Sequence, residues 1–162
     1  MPKTRSFPAI AVTVVVLLAT TASGATANAT RPTKTAPIVI STRKVGKLGT
    51  VLVNANGLTL YMFVPDKRKH VTCVSTCAVI WPPVKLPTGA KTLAKGQAKT
   101  KLLGSDRDPA GGRVVTYDGW PLYTYITDKK PGTATGQAIN LNGGLWYALA
   151  PTGKIIKTKI TA

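Results

Sequence analysis

The 162-residue chain has no glutamate, one histidine and two cysteines. General acid–base catalysis draws on His, Glu or Asp tuned to a useful pKa, and the supply here is His70 and five aspartates. No Ser/His/Asp order, nucleophile elbow or phosphate-binding glycine loop is present, and Gly111-Gly112 and Gly143-Gly144 read as turns. A structural zinc site takes four ligands, whereas His70, Cys73 and Cys77 offer three at most. No catalytic residue, metal or cofactor is expected, and a hydrolytic enzyme is the least supported class.

Long apolar runs are also lacking. Residues 9–19 are apolar but fall well short of the roughly 20 residues that span a bilayer. Lys3 and Arg5 precede the run, and Ala22, Gly24, Ala25 and Ala27 follow it. This arrangement predicts a secretory signal peptide over residues 1–27, with no transmembrane anchor after cleavage. Both Ala25-Thr26-Ala27 and Ala27-Asn28-Ala29 fit the small-x-small rule, so the mature start is Asn28 or Thr30. No cysteine precedes Cys73, which removes the attachment point for a lipid.

Positive charge is abundant. Lys and Arg number 22 against 5 acidic residues, a formal net charge of +17, and cleavage would remove only Lys3 and Arg5. An exported protein of this charge is drawn to polyanions: anionic cell-wall polymer or lipid headgroups. The clusters Lys67-Arg68-Lys69 and Lys129-Lys130 are the candidate polyanion-binding residues. No zinc-finger or aromatic-and-basic RNA-binding signature accompanies them, so sequence-specific nucleic-acid recognition is not expected. Oligomeric state is not legible.

The pattern G-x-x-L-Y-x-[FY]-x-x-D occurs twice, at residues 57–66 and 119–128. Such a repetition marks two related structural units. In each copy a β-rich segment runs into Asn56-Gly57 or Asp118-Gly119, the preferred residues of two-residue hairpin turns. Tight turns would pair Val53 with Leu60 and Leu52 with Tyr61 in the first copy, and Val115 with Leu122 and Val114 with Tyr123 in the second. Pro121 lacks an amide donor, placing its strand at a sheet edge or bulge. Asn142-Gly143-Gly144 predicts a third hairpin between residues 137–141 and 145–149.

The expected fold is all-β: two tandem β-hairpin-based repeats packed as one small domain. The expected organisation is a flexible basic lead-in over residues 28–45, then a single domain over 46–160. Within it lie repeat 1 at 46–86, a mobile, solvated linker at 87–100, repeat 2 at 101–153 and a terminal strand at 154–160.

Asp66 and Asp128 close the two motifs, where a carboxylate commonly accepts backbone N–H bonds and fixes a turn. The functional alternative places Tyr61 with Asp66, and Tyr123 with Asp128, in two equivalent pockets for a cation or polar ligand, with Phe63 and Tyr125 beside them. One carboxylate and one phenol make a poor calcium site. Cys73 and Cys77 in an exported chain are most simply a disulfide across a short helical turn, shaping the loop that brings Trp81-Pro82-Pro83 to the core. Trp81, Trp120 and Trp146 read as packing residues, and His70 as an exposed loop residue.

The ordered series G-L-T-L-Y-M-F-V-P-D, C-V-S-T-C-A-V-I-W-P-P-V, L-L-G-S-D-R, V-T-Y-D-G-W-P-L-Y-T-Y-I-T-D and G-L-W-Y-A-L-A-P-T-G resembles the bacterial secreted repeat of unknown function family, also described as predicted lipoproteins with a Y-x-[FWY]-x-x-D motif. The resemblance covers about residues 46–153. Tyr61, Phe63 and Asp66 fall on the motif in the first copy, and Tyr123, Tyr125 and Asp128 in the second. The family implies no assigned activity, and this chain departs from its lipoprotein members in lacking a lipobox cysteine. The leading expectation is a non-catalytic, secreted, envelope-associated protein that binds anionic polymer electrostatically. The alternative is a ligand-, metal- or redox-linked module built on the repeated Tyr/Asp motif.

Overall fold

A computed structural model describes residues 35–68 and 70–159, together with Lys3. The signal peptide, Lys3 apart, and residues 28–34 of the lead-in therefore lie outside the described residues, as do Lys69 and the last three positions. The strands are β1 (Ile38–Val45), β2 (Gly49–Val53), β3 (Tyr61–Phe63), β4 (Thr92–Ala94), β5 (Leu103–Arg107), β6 (Arg113–Tyr117), β7 (Trp120–Pro121), β8 (Asn140–Leu141) and β9 (Gly144–Ala148). A five-residue helix, α1 (Thr76–Ile80), carries Cys77, which is bonded to Cys73 across a Cα separation of 5.2 Å. The protein is all-β with a short helix at its disulfide.

Three small sheets form, in the orders β2-β1-β4, β3-β9-β8 and β5-β6-β7. Pro121 lies in β7, the outer strand of its sheet. Bridges from Tyr123 to Tyr61 and to Pro83 join the pieces. The resulting central layer runs from residues 81–85 to the Tyr123 strand, then to β3, β9 and β8.

Two stretches expected to be mobile are built into sheets. β1 occupies residues assigned to the lead-in, with Ile40 and Val45 buried, and it pairs on both edges. Its alternating Ile and Val outweigh the basic, Thr-rich surroundings, because each apolar side chain finds a face to cover. The supposed linker holds β4, parallel to β1 in the register Ile38↔Thr92 to Ile40↔Ala94. Lys95 N donates to Ile40 O at 2.9 Å. Edge pairing to β1 satisfies the backbone there without a large apolar payload.

The first hairpin differs from its expected register by one residue. Val53 faces Thr59, and Leu60 N donates to Leu52 O at 2.9 Å. Asn54 is the reason: its Oδ1 accepts from Asn56 N and Leu58 N, both at 3.0 Å. Gly57 alone in the loop takes positive φ, +77°. The loop thus has three residues, a turn closed by a left-handed glycine. The second hairpin has two, with Asp118 and Gly119 both at positive φ and Leu122 N on Val115 O. Asn142 and Gly143 form the same kind of turn in the third, which leaves Gly144 inside β9. The expected terminal strand reduces to one bridge, Leu149↔Ile155, within the described residues.

All of residues 60–63 are buried, because side chains alternate between two cores. Tyr61 and Phe63 join Trp81, Tyr123 and Trp146 in one cluster; Leu60 and Met62 join Leu52, Val115, Leu122 and Leu149 in the other.

Each repeat gives its final strand to the other. Residues 80–84 of the first repeat pair with the Tyr123 strand, through Val84 N to Leu122 O at 2.8 Å and Thr124 N to Pro82 O at 2.9 Å, while Val115 N donates to Val84 O at 2.8 Å. Reciprocally, β9 of the second repeat pairs with β3 in the register Tyr61↔Ala148 to Phe63↔Trp146, and Leu52 N donates to Leu149 O at 2.9 Å. The two repeats are interlocked halves of one body.

Candidate functional site

Tyr61 and Tyr123 stand directly opposite each other on neighbouring strands and exchange both backbone bonds, at 2.9 and 3.0 Å. Opposed residues of an antiparallel pair project to the same face. From there each phenol reaches the carboxylate of the other repeat: Tyr61 Oη donates to Asp128 Oδ2 and Tyr123 Oη to Asp66 Oδ2, both at 2.6 Å. The within-repeat pockets, Tyr61 with Asp66 and Tyr123 with Asp128, are not formed. Strand exchange overrides sequence proximity, since the Tyr strands meet at the centre and the loops that follow them diverge.

The second oxygen of each carboxylate holds its own loop. Asp66 Oδ1 accepts from Thr72 N and Oγ1 at 2.8 and 2.7 Å. Asp128 Oδ1 accepts from Thr135 N and Oγ1 at 2.9 and 2.6 Å. These threonines lie six and seven residues beyond their aspartates. The sequence reading missed them, and the recurring D-x5-6-T spacing could have found them. All four groups of the motif are fully or almost fully buried.

Burial pushes both tyrosines well above their ordinary pKa, and the Asp carboxylate facing each adds to the rise. Burial also raises the Asp66 carboxyl, while bonds from Tyr123, Thr72 and the Cys73 N–H pull it back. Chemically the arrangement is a double clasp: each carboxylate ties its own loop to the opposite repeat's strand.

Phe63 and Tyr125 end a four-ring stack. Tyr125 lies 4.0 Å from Trp81, Trp81 3.9 Å from Trp146 and Trp146 4.1 Å from Phe63, with interplanar angles of 18°, 2° and 16°. Each Trp comes from an exchanged strand. Trp146 Nε1 donates to Leu141 O at 3.0 Å, whereas Trp81 Nε1 has no partner among the described residues. Gly136 is required beside it, since a Cβ there would lie 2.7 Å from the Trp81 ring.

Lys67, Arg68, Lys129 and Lys130 are exposed on the loops after the two aspartates. These loops lie on opposite hairpins: Arg68 Cβ is 3.4 Å from where a Cβ on Gly119 would stand, and Pro131 Cβ 3.1 Å from the equivalent point on Gly57. Arg68 also pairs with Asp118 at 2.8 Å, so it is already partly neutralised. His70 is exposed. Among the described residues, no three His, Cys or Asp side chains gather where a metal could be held.

The five carboxylates are all engaged internally. Asp66 and Asp128 serve the clasp, Asp108 is buried against Lys85, Asp118 faces Arg68, and Asp106 Oδ1 caps Arg107 N at 2.8 Å. Among the described basic residues only Arg68 and Lys85 have a carboxylate partner. The outer surface is left with almost uncompensated positive charge.

A family model described as a secreted repeat of unknown function matches the chain twice, over residues 42–85 and 104–150. No curated protein and no solved structure matches it. The matched segments correspond to the two interlocked halves, one beginning in β1 and the other in β5, and each ending just past the strand it gives away.

Proposed function

The chain belongs to the secreted repeat of unknown function family, and from that membership we propose that it acts without catalysis at the cell envelope, held there by electrostatic association with anionic wall polymer. One observation carries the reading: the fold buries three of its five acids and engages the other two internally, while among the described lysines and arginines only Arg68 and Lys85 have a carboxylate partner. A cationic surface of this kind gains affinity by releasing counterions from a polyanion. The repeated Tyr/Asp motif is assigned to the scaffold, because a ligand or redox partner would need access to four groups that are buried.

Retention of the purified protein on a teichoic-acid-like polymer, measured from about 50 to 200 mM salt, tests the reading. The expected result is a linear fall of log affinity with log salt, with a slope of several units. Binding indifferent to salt, or turnover of a wall or glycan substrate, would overturn it. Equal retention on neutral polymer would do the same.

A further inference from the structure

A cleft of about 330 Å³ opens where β1, the first hairpin loop and the residues after β4 meet, lined by Ser41, Thr42, Arg43, Asn54, Asn56 and Lys95 among others. We propose that this cleft is a discrete site for one phosphate group of a phosphodiester-linked polyol chain; the inference deepens the polyanion reading above and rests on it.

Three observations select a phosphate-type anion. The lining holds two cations, Arg43 and Lys95, and no acid, and neither cation has a carboxylate partner among the described residues. Two of its polar neighbours already use an acceptor internally: Asn54 Oδ1 takes Asn56 N and Leu58 N, and Thr42 Oγ1 takes Gln97 N at 3.0 Å. The Asn54 Nδ2 amide, the Ser41 and Thr42 hydroxyls, a guanidinium and an ammonium can all donate to an anion.

The third observation is a fixed backbone. Arg43 sits in β1 opposite Val51 of β2, and its guanidinium passes over Gly57, within 3.3 Å of where a Cβ would be. The backbone bond from Lys95 N to Ile40 O ties its segment to that same strand. A planar guanidinium carried on such a backbone matches two oxygens of a phosphate, and a lysine adds a point charge. The two cations come from stretches of sequence more than fifty residues apart, so the site exists only in the folded protein. A free-standing cationic tail would bind phosphate without geometry. This cleft supplies geometry as well as charge.

The test is an amide-shift titration of the ¹⁵N-labelled protein with inorganic phosphate and with glycerol 1-phosphate, against sodium chloride at matched ionic strength. Saturable shifts are expected at Thr42, Asn54, Asn56, Gly57 and Lys95. Arg43→Gln or Lys95→Gln should weaken binding roughly tenfold, the loss of one charge-assisted contact, while Lys154→Gln with Lys157→Gln, two exposed lysines outside the lining, leaves the cleft titration unchanged. Non-saturating shifts scattered over surface lysines, or an unchanged titration in Arg43→Gln, would overturn the site. Retention on polyol-phosphate polymer, DNA and anionic vesicles then separates the sources of phosphate. Cleft saturation by the small phosphates without salt-sensitive polymer retention would leave the site standing and sink the polyanion reading. Salt-sensitive retention that is unaffected by Arg43→Gln would sink the site and leave that reading.

Discussion

Tyr61 and Tyr123 make the same bond in mirrored settings, yet they are not equivalent. Tyr61 Oη also accepts from Gly136 N at 3.3 Å, so Tyr61→Phe should leave two buried groups short of a partner and Tyr123→Phe one. Leaving a buried polar group unpaired costs about 1–3 kcal/mol; both variants should lower the urea midpoint, Tyr61→Phe by more. A pH experiment isolates the phenols. Their folded-state pKa values are raised, by burial first, above the unfolded value of about 10. Below that pH both states keep the proton and the contribution is fully present. As pH rises past it, only the unfolded chain ionises, so stability should fall by about 1.4 kcal/mol per pH unit for each tyrosine. Urea melts between pH 9 and 11 check this, and the double Tyr→Phe variant should show a shallower decline. Tyr117, also raised by burial, accounts for part of the slope that remains.

At the scale of elements, one side chain decides the first hairpin. Asn54 accepts two backbone N–H groups and sets a three-residue loop, where Asn56-Gly57 by itself suggests a two-residue turn. Asn54→Ala should cost on the order of 1 kcal/mol, while the corresponding change at Tyr117, the last strand residue before the second turn, should cost more, because it removes a buried ring together with the bonds its hydroxyl gives to Pro151 O and takes from Lys99 N. The chemical denaturation midpoint measures the difference. The strands of the repeat hairpins, the second and third turns, the short helix and the disulfide were legible because each depends on local pattern: alternation, Asx-Gly pairs, a cysteine spacing of four. The Asn54 register was not, since a side chain competing for backbone amides looks like an ordinary turn residue. β1 and β4 were hidden for a related reason. Their pairing to each other is non-local, and lysines at strand edges and ends imitate the composition of a solvated linker.

For the whole molecule, duplication was legible and exchange was not. Two matching motifs predict two similar units, but nothing in either copy says that residues 80–84 will pair with the second half or that β9 will pair with the first. The Tyr–Asp partners were consequently assigned within repeats and are found between them. Exchange has a consequence for folding. Each half alone would expose the edge that its partner's strand covers, lose one side of the Trp81–Trp146 stack, and leave its tyrosine hydroxyl and one oxygen of its aspartate without the partner each has across the repeats. A stacked aromatic pair adds about 0.5–1.5 kcal/mol beyond its buried area, and a small domain has only about 5–15 kcal/mol in total. Residues 35–86 and 87–159 produced separately should therefore be unfolded or aggregated by near-UV circular dichroism. Mixed at equal concentration, they should regain the near-UV signal and elute as a one-to-one complex. Tyr61→Phe in one fragment with Tyr123→Phe in the other should weaken that complex more than either alone. Fragments that each fold without the other would show that the strand exchange is dispensable, and the interlocked architecture would lose its claim to hold the protein together.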